Sequence, residues 1–448
     1  MVKVITYGTY DLLHRGHIRL LERAKELGDY LIVGVTSEDF DRGRGKINVQ
    51  QSLMERIEAL EATGIADQIV VEEYEGQKID DIKRYGVDIF TVGSDWEGHF
   101  DYLNEYCKVV YLERTKGVSS TQLRSEERQV RIGLVGNEEN NILSKYYKEF
   151  NFVNGASATA VCTSNQEIKD AFEGKVDLIT EDYDEMVQSC DAVYIVSHPK
   201  YHYEQVKKAL EAGRHVLCES PIALTSKECE ELFEIARQHN VILMEAIKTA
   251  YAMAYNRLVL LAKSGRIGKI ISVDATCTSL SKRVTEKGDL TGVWNSISAW
   301  GPTAVLPILH ILGTDYKERR MYSRFIDDNK EFDVFTRADF IYDDAVATFK
   351  VGRGVKSEGE LVVSGTKGYI YVPAPWWKTD YFEIRYEDTN ENKRYFYKLD
   401  GEGIRYELVA FLRSINSGRS NAYIDEKISC SISDMMEGFY NGESIDLN

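Results

Sequence analysis

Apolar and polar positions along the first 114 residues alternate between two periods. VKVITYG (2–8) is a short apolar run ending in glycine and reads as a buried strand. HIRLLERAKELG (17–28) places Ile18, Leu21 and Ala24, and Leu20, Ala24 and Leu27, three and four residues apart. Gly28 closes this stretch, so the spacing predicts a helix. YLIVGV (30–35), QIVVEEY (68–74), DIFTVGSDW (88–96) and KVVYLER (108–114) repeat the strand pattern. QQSLMERIEALEATG (50–64) and KIDDIKRYG (78–86) repeat the helical one. Strands alternating with helices predict parallel βαβ units, with a sheet covered on both faces.

The pattern restarts at Val130. SSTQLRSEERQ (119–129) reads as a polar helix, and VRIGLVG (130–136) is again a short buried strand running into glycine. A second alternation follows through SATAVCTS, DAVYIVS, YHYEQVKKALEAG, HVLCES, SKECEELFEIARQHN and VILMEAI, to residue 247. After Lys248 the texture changes. One long helix (254–268) precedes runs rich in β-branched and aromatic residues: KIISVDATCTSL, RADFIYDDAVATFKVG, GELVVSGTKGYIYVP, YFEIRYED and KRYFYKL. These predict a mostly antiparallel open sheet with a helical covering, and a turn at GTKGYI. The expected fold class is α/β, in three domains: 1–129 and 130–247, both Rossmann-like, and 248–448, which holds the sheet.

Composition narrows the setting. With 448 residues, 43% apolar and 28% charged, the chain is long enough for several cores. No run approaches the ~18 apolar residues of a membrane span, and the first residues lack a signal-peptide layout, so a soluble, cytoplasmic protein is expected. Lys and Arg number 55 against 72 Asp and Glu, a net charge of −17. So acidic a chain is a poor match for a nucleic-acid backbone, and an anionic ligand must be met by a local cluster of donors. The seven cysteines form no CxxC and the eight histidines no HxxxH or HExxH, so no metal ligands are expected.

TYGTYDLLHRGHIRLL (6–21) carries the first candidate chemistry. A strand ends at Gly8, and His14 and His17 bracket the start of a helix, whose free N–H groups and partial positive charge suit phosphate. Gly8 and Gly16 allow close backbone approach. Two imidazoles three residues apart can both donate to an anion and offset charge moving onto a leaving group. RTKGVSST (114–121) is the second half. Arg114 can fork onto phosphate oxygens, and Ser119, Ser120 and Thr121 either cap the next helix or donate to a phosphate there. Taken singly, each motif also fits two surface histidines or a plain cap.

These motifs, with YLIVGV, GSDWEGHFDYL and VVYLERTKGVSSTQLR, closely resemble the glycerol-3-phosphate cytidylyltransferases of the HxGH nucleotidyltransferase superfamily, over residues 1 to about 125. The resemblance implies that CTP and an alditol phosphate give CDP-alditol and pyrophosphate, usually with Mg²⁺. It places Gly8, Thr9, Tyr10, Asp11, His14 and His17 along the triphosphate, with Lys46 meeting phosphates of both substrates. Asp95 and Trp96 then flank the cytosine and ribose, and Arg114, Thr115, Ser120 and Thr121 close over the β- and γ-phosphates. Arg44, Lys46 and Arg56 fall to the acceptor. Arg44 stands where a lysine is common, and a further arginine of the family aligns near Gly64.

The second half offers a weaker start and a stronger continuation. Gly133 and Gly136 begin a dinucleotide-binding turn, but Glu138 and Asn141 stand where GxGxxG needs glycines. The stretch from DAVYIVSHPKYHYEQV to VILMEA (191–246) resembles the Gfo/Idh/MocA oxidoreductases, a resemblance that covers about 130–448, closely to about residue 275 and more loosely after, and implies NAD(P). The family's Glu-Lys-Pro reads Glu219, Ser220, Pro221, so its lysine is missing. Lys248 is a candidate substitute. His310 matches the acid/base position or is a satisfied helix histidine, with Leu306 where an Asp is expected. The strand ending in Cys162, Thr163 and Ser164 gives no choice between NAD and NADP. Two readings stay open for this half: a sugar-phosphate reductase feeding the transferase, or a non-catalytic module for assembly or ligand binding. A chain that binds CTP without turnover, as a scaffold or sensor, is the alternative for the whole. The expected partners are CTP, an alditol phosphate and further copies of the chain, as a homodimer or higher homo-oligomer. The setting inferred from the resemblance is supply of CDP-alditol for a cell-surface polysaccharide.

Overall fold

The computed structural model describes residues 1–37, 40–41, 49, 51–74, 76–113, 129–136, 142–153, 155–285, 290, 293–397, 399, 401–420 and 422–447, without the side chains of Asp95, Arg283 and Thr285. The chain divides into two compact units, 1–128 and 129–448.

In the first unit, the strands β1 (Lys3–Gly8), β2 (Tyr30–Thr36), β3 (Gln68–Glu72), β4 (Ile89–Gly93) and β5 (Lys108–Leu112) are all parallel, in the order β3-β2-β1-β4-β5. The chain leaves β1 toward one edge and returns to β4 on its other side. The crevice at the carboxyl ends of β1 and β4 is therefore the switch point where such sheets bind ligands. Apolar layers cover both faces, one around Leu21, Leu31 and Leu60, the other around Ile32, Ile82 and Phe90. The helix Leu53–Glu61 starts in a capping box of Ser52 and Glu55.

The second unit holds two sheets. Strands β6 (Val130–Val135), β7 (Ala156–Cys162), β8 (Leu178–Thr180), β9 (Ala192–Ile195), β10 (His215–Glu219) and β11 (Leu243–Ala246) form a parallel sheet of order β11-β10-β9-β6-β7-β8. Its switch point lies between β6 and β9. The third sheet has ten strands, built around β12 (Ile270–Leu280), and runs from β20 (Lys393–Phe396) to β21 (Ile445–Asp446). Its neighbours pair antiparallel except β12 with β15 (Val346–Gly352), and β13 (Glu318–Phe325) with β21. The fold class is thus α/β, with two parallel Rossmann-like sheets and one mixed sheet.

Local expectations meet their causes here. RADFIYDDAVATFKVG splits into β14 (Asp333–Ile341) and β15, around a turn closed by Tyr342 N–H to Ala345 O at 2.9 Å. GTKGYI is the turn between β17 (Leu361–Gly365) and β18 (Gly368–Val372). The helix Ser296–Leu312 covers the mixed sheet despite Pro302 and Pro307 in its interior, because its apolar surface is almost wholly buried. The predicted polar helix at 119–129 lies outside the described residues, save Gln129.

Gly34 on β2 faces the Tyr7 ring so closely that a Cβ there would lie 2.1 Å from a ring carbon. Gly34→Ala is expected to lower the stability of the first unit by ~1–3 kcal/mol through overpacking. A calorimetric transition left in place by the substitution would contradict this packing.

Candidate active sites

The first site is built at the carboxyl end of β1. His14 is the N-cap of the helix Arg15–Lys25, and its Nδ1 accepts the Gly16 N–H at 3.0 Å. His17 lies one turn on, and the two imidazoles stack with centroids 3.8 Å apart and planes at 19°. The Tyr10 ring meets His17 edge-on at 5.6 Å. Tyr10 and Leu12 take left-handed φ values of 53° and 48°, so this short loop folds tightly over the strand end. Gly8 makes that fold possible, since a Cβ there would stand 2.8 Å from the Tyr10 ring.

A buried frame holds the loop. Asp11 Oδ1 accepts the Gln51 N–H at 3.0 Å, and Gln51 Oε1 accepts the Leu12 N–H at 2.7 Å. Thr9 Oγ1 donates to Asp41 at 3.0 Å, and Thr36 Oγ1 to the same carboxylate at 2.5 Å. Arg56 has no exposed side-chain surface. Its Nη1 donates to Thr9 O at 2.8 Å and Thr36 O at 2.9 Å, and lies 3.4 Å from Asp41 Oδ2, while Nε donates to Gln51 O. Arg56, expected at the acceptor, thus braces the loop with Nε and Nη1, and its buried Nη2 has no hydrogen-bond partner among the described residues. Asp41, Gln51 and Thr36 were absent from the sequence reading, because no motif marks residues that act only by holding backbone.

Trp96 sits on the helical turn Ser94–Trp96 just past β4, beside His99 and Phe100, with 38% of its surface exposed. β1 and β4 pair directly, Thr6 against Thr91, so the histidine loop and the tryptophan turn leave neighbouring strand ends. Gly64 lies in the turn after the helix Leu53–Glu61, with φ of 67°. Arg44, Lys46, Arg114, Thr115, Ser120 and Thr121 lie outside the described residues, as does the side chain of Asp95. Among the described residues no group of three or more His, Cys, Asp or Glu could hold a metal ion.

The second unit gathers its titratable groups around the end of β10. Glu219 accepts the Tyr146 hydroxyl, and Tyr194 donates to Glu407 at 2.6 Å and lies 3.4 Å from Glu219. Burial pushes both carboxyls up, Glu407 furthest. Ser220, in the missing lysine's place, donates to Glu245, which burial raises to about 7. His202 pins the Pro221 loop, its ring nitrogens 2.7 Å from Pro221 O and 2.6 Å from Ser197 O. Lys248 lies 3.5 Å from Glu402. His310 has both ring nitrogens engaged, by Tyr255 OH at 3.1 Å and Tyr423 O at 2.8 Å, and burial lowers it to about 4. That is the geometry of a satisfied helix histidine, and no hydrogen bond ties it to the Glu219 cluster. Gly133 packs where a Cβ would meet Met186 Sδ at 2.5 Å, and Gly136 follows β6 at the switch point. Glu407 was missed by motif, yet it interrupts an apolar stripe of Ile404, Leu408 and Phe411, a signal visible in the spacing.

Comparison with known proteins finds likenesses for both halves. A cytidylyltransferase-like family model matches residues 5–161, and the NAD-binding Rossmann-fold model of the Gfo/Idh/MocA oxidoreductase family matches residues 130–247. Glycerol-3-phosphate cytidylyltransferase of Bacillus spizizenii is 48% identical over 126 residues, 28% of this chain and 97% of that protein. The NADP-dependent scyllo-inositol 2-dehydrogenase IolU of Bacillus subtilis is 34% identical over 133 residues, 29% of this chain, and the match spans 40% of that protein. A 3-ketoreductase from Actinomadura kijaniata, solved with NADP and TDP-benzene, shares the second unit's fold with a TM-score of 0.62 at 18% identity, covering 71% of this chain and 98% of that one.

The buried carboxyl at Glu245 has a stability consequence. Its folded value, about 7, lies above its ordinary 4.5, so the folded state holds the proton more tightly. Its contribution is complete below about pH 4.5 and is lost as pH rises through about 7. Glu245→Gln should remove up to ~3 kcal/mol of that loss and flatten the Tm profile between pH 5 and pH 8. Melting curves of the variant that keep the wild-type slope would refute the assignment.

Proposed function

We propose, for a chain that belongs through its first unit to the cytidylyltransferase-like family of the glycerol-3-phosphate cytidylyltransferases, that this unit joins CTP to an alditol phosphate. A phosphate oxygen of the acceptor attacks the α-phosphorus of CTP and forms the new P–O bond. The bond from that phosphorus to the β-bridging oxygen breaks, and pyrophosphate leaves with the electron pair. The attacking phosphate is already ionised at neutral pH, so no general base is needed and the work is alignment and charge stabilisation. The stacked imidazoles at a helix N-terminus, set at the sheet's switch point, are the observation that carries this reading.

Gly8, Thr9, Tyr10 and Asp11 form the floor of the triphosphate site, with His14 and His17 beside the phosphorus that reacts. Trp96 offers a face for cytosine, and Asp95 is assigned to the same pocket. Lys46 and Arg44 are assigned to the acceptor, Arg56 to holding the loop that begins at Thr9, and Arg114, Thr115, Ser120 and Thr121 to the β- and γ-phosphates. Mg²⁺ fits as an ion carried in by the phosphates, since such sites hold it through few protein ligands.

For the second unit we propose an NAD(P)-dependent reductase that makes the alditol phosphate from a sugar phosphate. Gly136 and the hydroxyls of Thr163 and Ser164 stand at strand ends where a dinucleotide is held, a donor set of backbone and hydroxyl groups that suits it. A nicotinamide held there would supply hydride chemistry for reducing a carbonyl. Lys248 supplies the proton to the oxygen, in place of the lysine that Ser220 replaces. Glu219 and Pro221 shape the floor beneath it. The replaced lysine also supports the other reading, a module that retains the fold for assembly or ligand binding.

His17→Ala is expected to lower pyrophosphate release from CTP and glycerol 3-phosphate by at least ~10²-fold, with an unchanged melting temperature. A variant that releases pyrophosphate at near the wild-type rate would remove the assignment. NADH and NADPH titrated into the full chain, read by their fluorescence, decide between the two readings of the second unit: no binding of either removes the reductase.

A further inference from the structure

Three lysines from separate parts of the second unit converge on one carboxylate. Lys145, on the helix Ile142–Phe150, bonds to Glu402 Oε2. Lys248, just past β11, lies 3.5 Å from the same oxygen. Lys378, on the turn Trp376–Lys378, donates to Oε1 at 2.6 Å. Burial opposes the charged form of Glu402, but these bonds and charges outweigh it and hold the carboxyl down at about 2. The group carries three positive charges against one negative, in a chain whose net charge is −17. The nearby Arg405 and Glu149 neutralise each other at 2.8 Å.

The segment that delivers Glu402 is held in a costly conformation. Gly401, Glu402 and Gly403 have φ of 58°, 53° and 97°, so a residue with a side chain stands between two glycines in the left-handed region. Neither glycine accepts a Cβ, which would meet Glu149 Oε2 at 1.9 Å or Lys248 O at 2.7 Å. The loop therefore presses onto the helix Ile142–Phe150 and onto the Lys248 backbone. Its one side chain between the glycines neutralises part of the cluster. The lysines keep 30 to 47% of their side-chain surface exposed, within reach of a solute.

We propose that Lys145, Lys248 and Lys378 form a binding site for a phosphate monoester, with the Glu402 carboxylate occupying it when no ligand is bound. Once Glu402 leaves, a phosphate dianion offsets two of the three positive charges where the carboxylate offset one, and three ammonium groups offer point donors to its oxygens. Binding exchanges one anion for another: the Glu402 carboxylate leaves the lysines and the phosphate takes its place. This rests on the reductase reading and gives it a substrate class, a sugar carrying a terminal phosphate, recognised beside Glu219.

The test is residue-resolved lysine acylation on the full chain, read by mass spectrometry, which separates this site from the phosphate site of the first unit. Inorganic phosphate and glycerol 3-phosphate should each protect Lys145, Lys248 and Lys378 by at least ~5-fold while exposed lysines outside this cluster and the first unit's phosphate site are unchanged. Glu402→Gln, which removes the competing charge, should bring half-protection at about tenfold lower phosphate. Protection by NADP⁺ but by neither phosphate probe would assign the lysines to the cofactor and overturn the proposal. No protection in wild-type protein, with its circular dichroism intact, would overturn it as well. Because the readout is protection and not turnover, a chain that binds phosphate yet reduces no sugar phosphate leaves this site standing and removes the reductase reading alone.

Discussion

The guanidinium of Arg56 joins three stretches of chain at one point, beside the bonds of Asp41 and Gln51 that also link them. It donates to carbonyls of Thr9, Thr36 and Gln51 and pairs with Asp41, all within a side chain that water does not reach. A buried cation left without its partners costs several kcal/mol, so these segments keep their positions or the unit does not fold. Thr9 begins the histidine loop, Thr36 ends the neighbouring strand, and Gln51 leads into the helix Leu53–Glu61. The left-handed residues Tyr10 and Leu12 can persist because the loop is fixed at both flanks, by Arg56 at Thr9 and by Gln51 at Asp11 and Leu12. The positions of His14 and His17 follow from that frame.

The second unit handles buried charge in another way. Glu219, Glu407 and Glu245 surround the end of β10 without a buried cation to pair with each, and burial raises all three. Phenol and hydroxyl donors from Tyr146, Tyr194 and Ser220 serve in place of salt bridges. The cationic groups sit outside it, partly exposed, around Glu402. Two ways of handling charge thus adjoin, carboxyls that burial shifts toward the neutral form and a cluster of lysines.

Much of this was legible in the chain. The alternation of periods gave both parallel sheets, because buried parallel strands read as continuous apolar runs between amphipathic helices. The turn at GTKGYI and the antiparallel character of the last sheet followed from β-branched runs separated by glycine. The histidine loop was legible because its chemistry is local, with both imidazoles and the helix start inside twelve residues. The long helix with Pro302 and Pro307 was legible only in part, at PILHILG, since its interior prolines argue against a helix and only burial overrides them. Contacts made across hundreds of residues left no local trace. Glu407 meets Tyr194, and Glu402 meets Lys145, at sequence separations beyond two hundred. His310 could not be assigned from spacing, because a histidine on an apolar helix looks the same whether it faces a cleft or a tyrosine.

The cap at the start of the first unit's helix has one more effect. His14 Nδ1 accepts a hydrogen from the Gly16 amide, so that nitrogen carries a lone pair and the ring's own hydrogen resides on Nε2. Backbone geometry therefore chooses the tautomer before any nucleotide arrives. The cap thus holds the ring as an Nε2–H donor at the start of the helix.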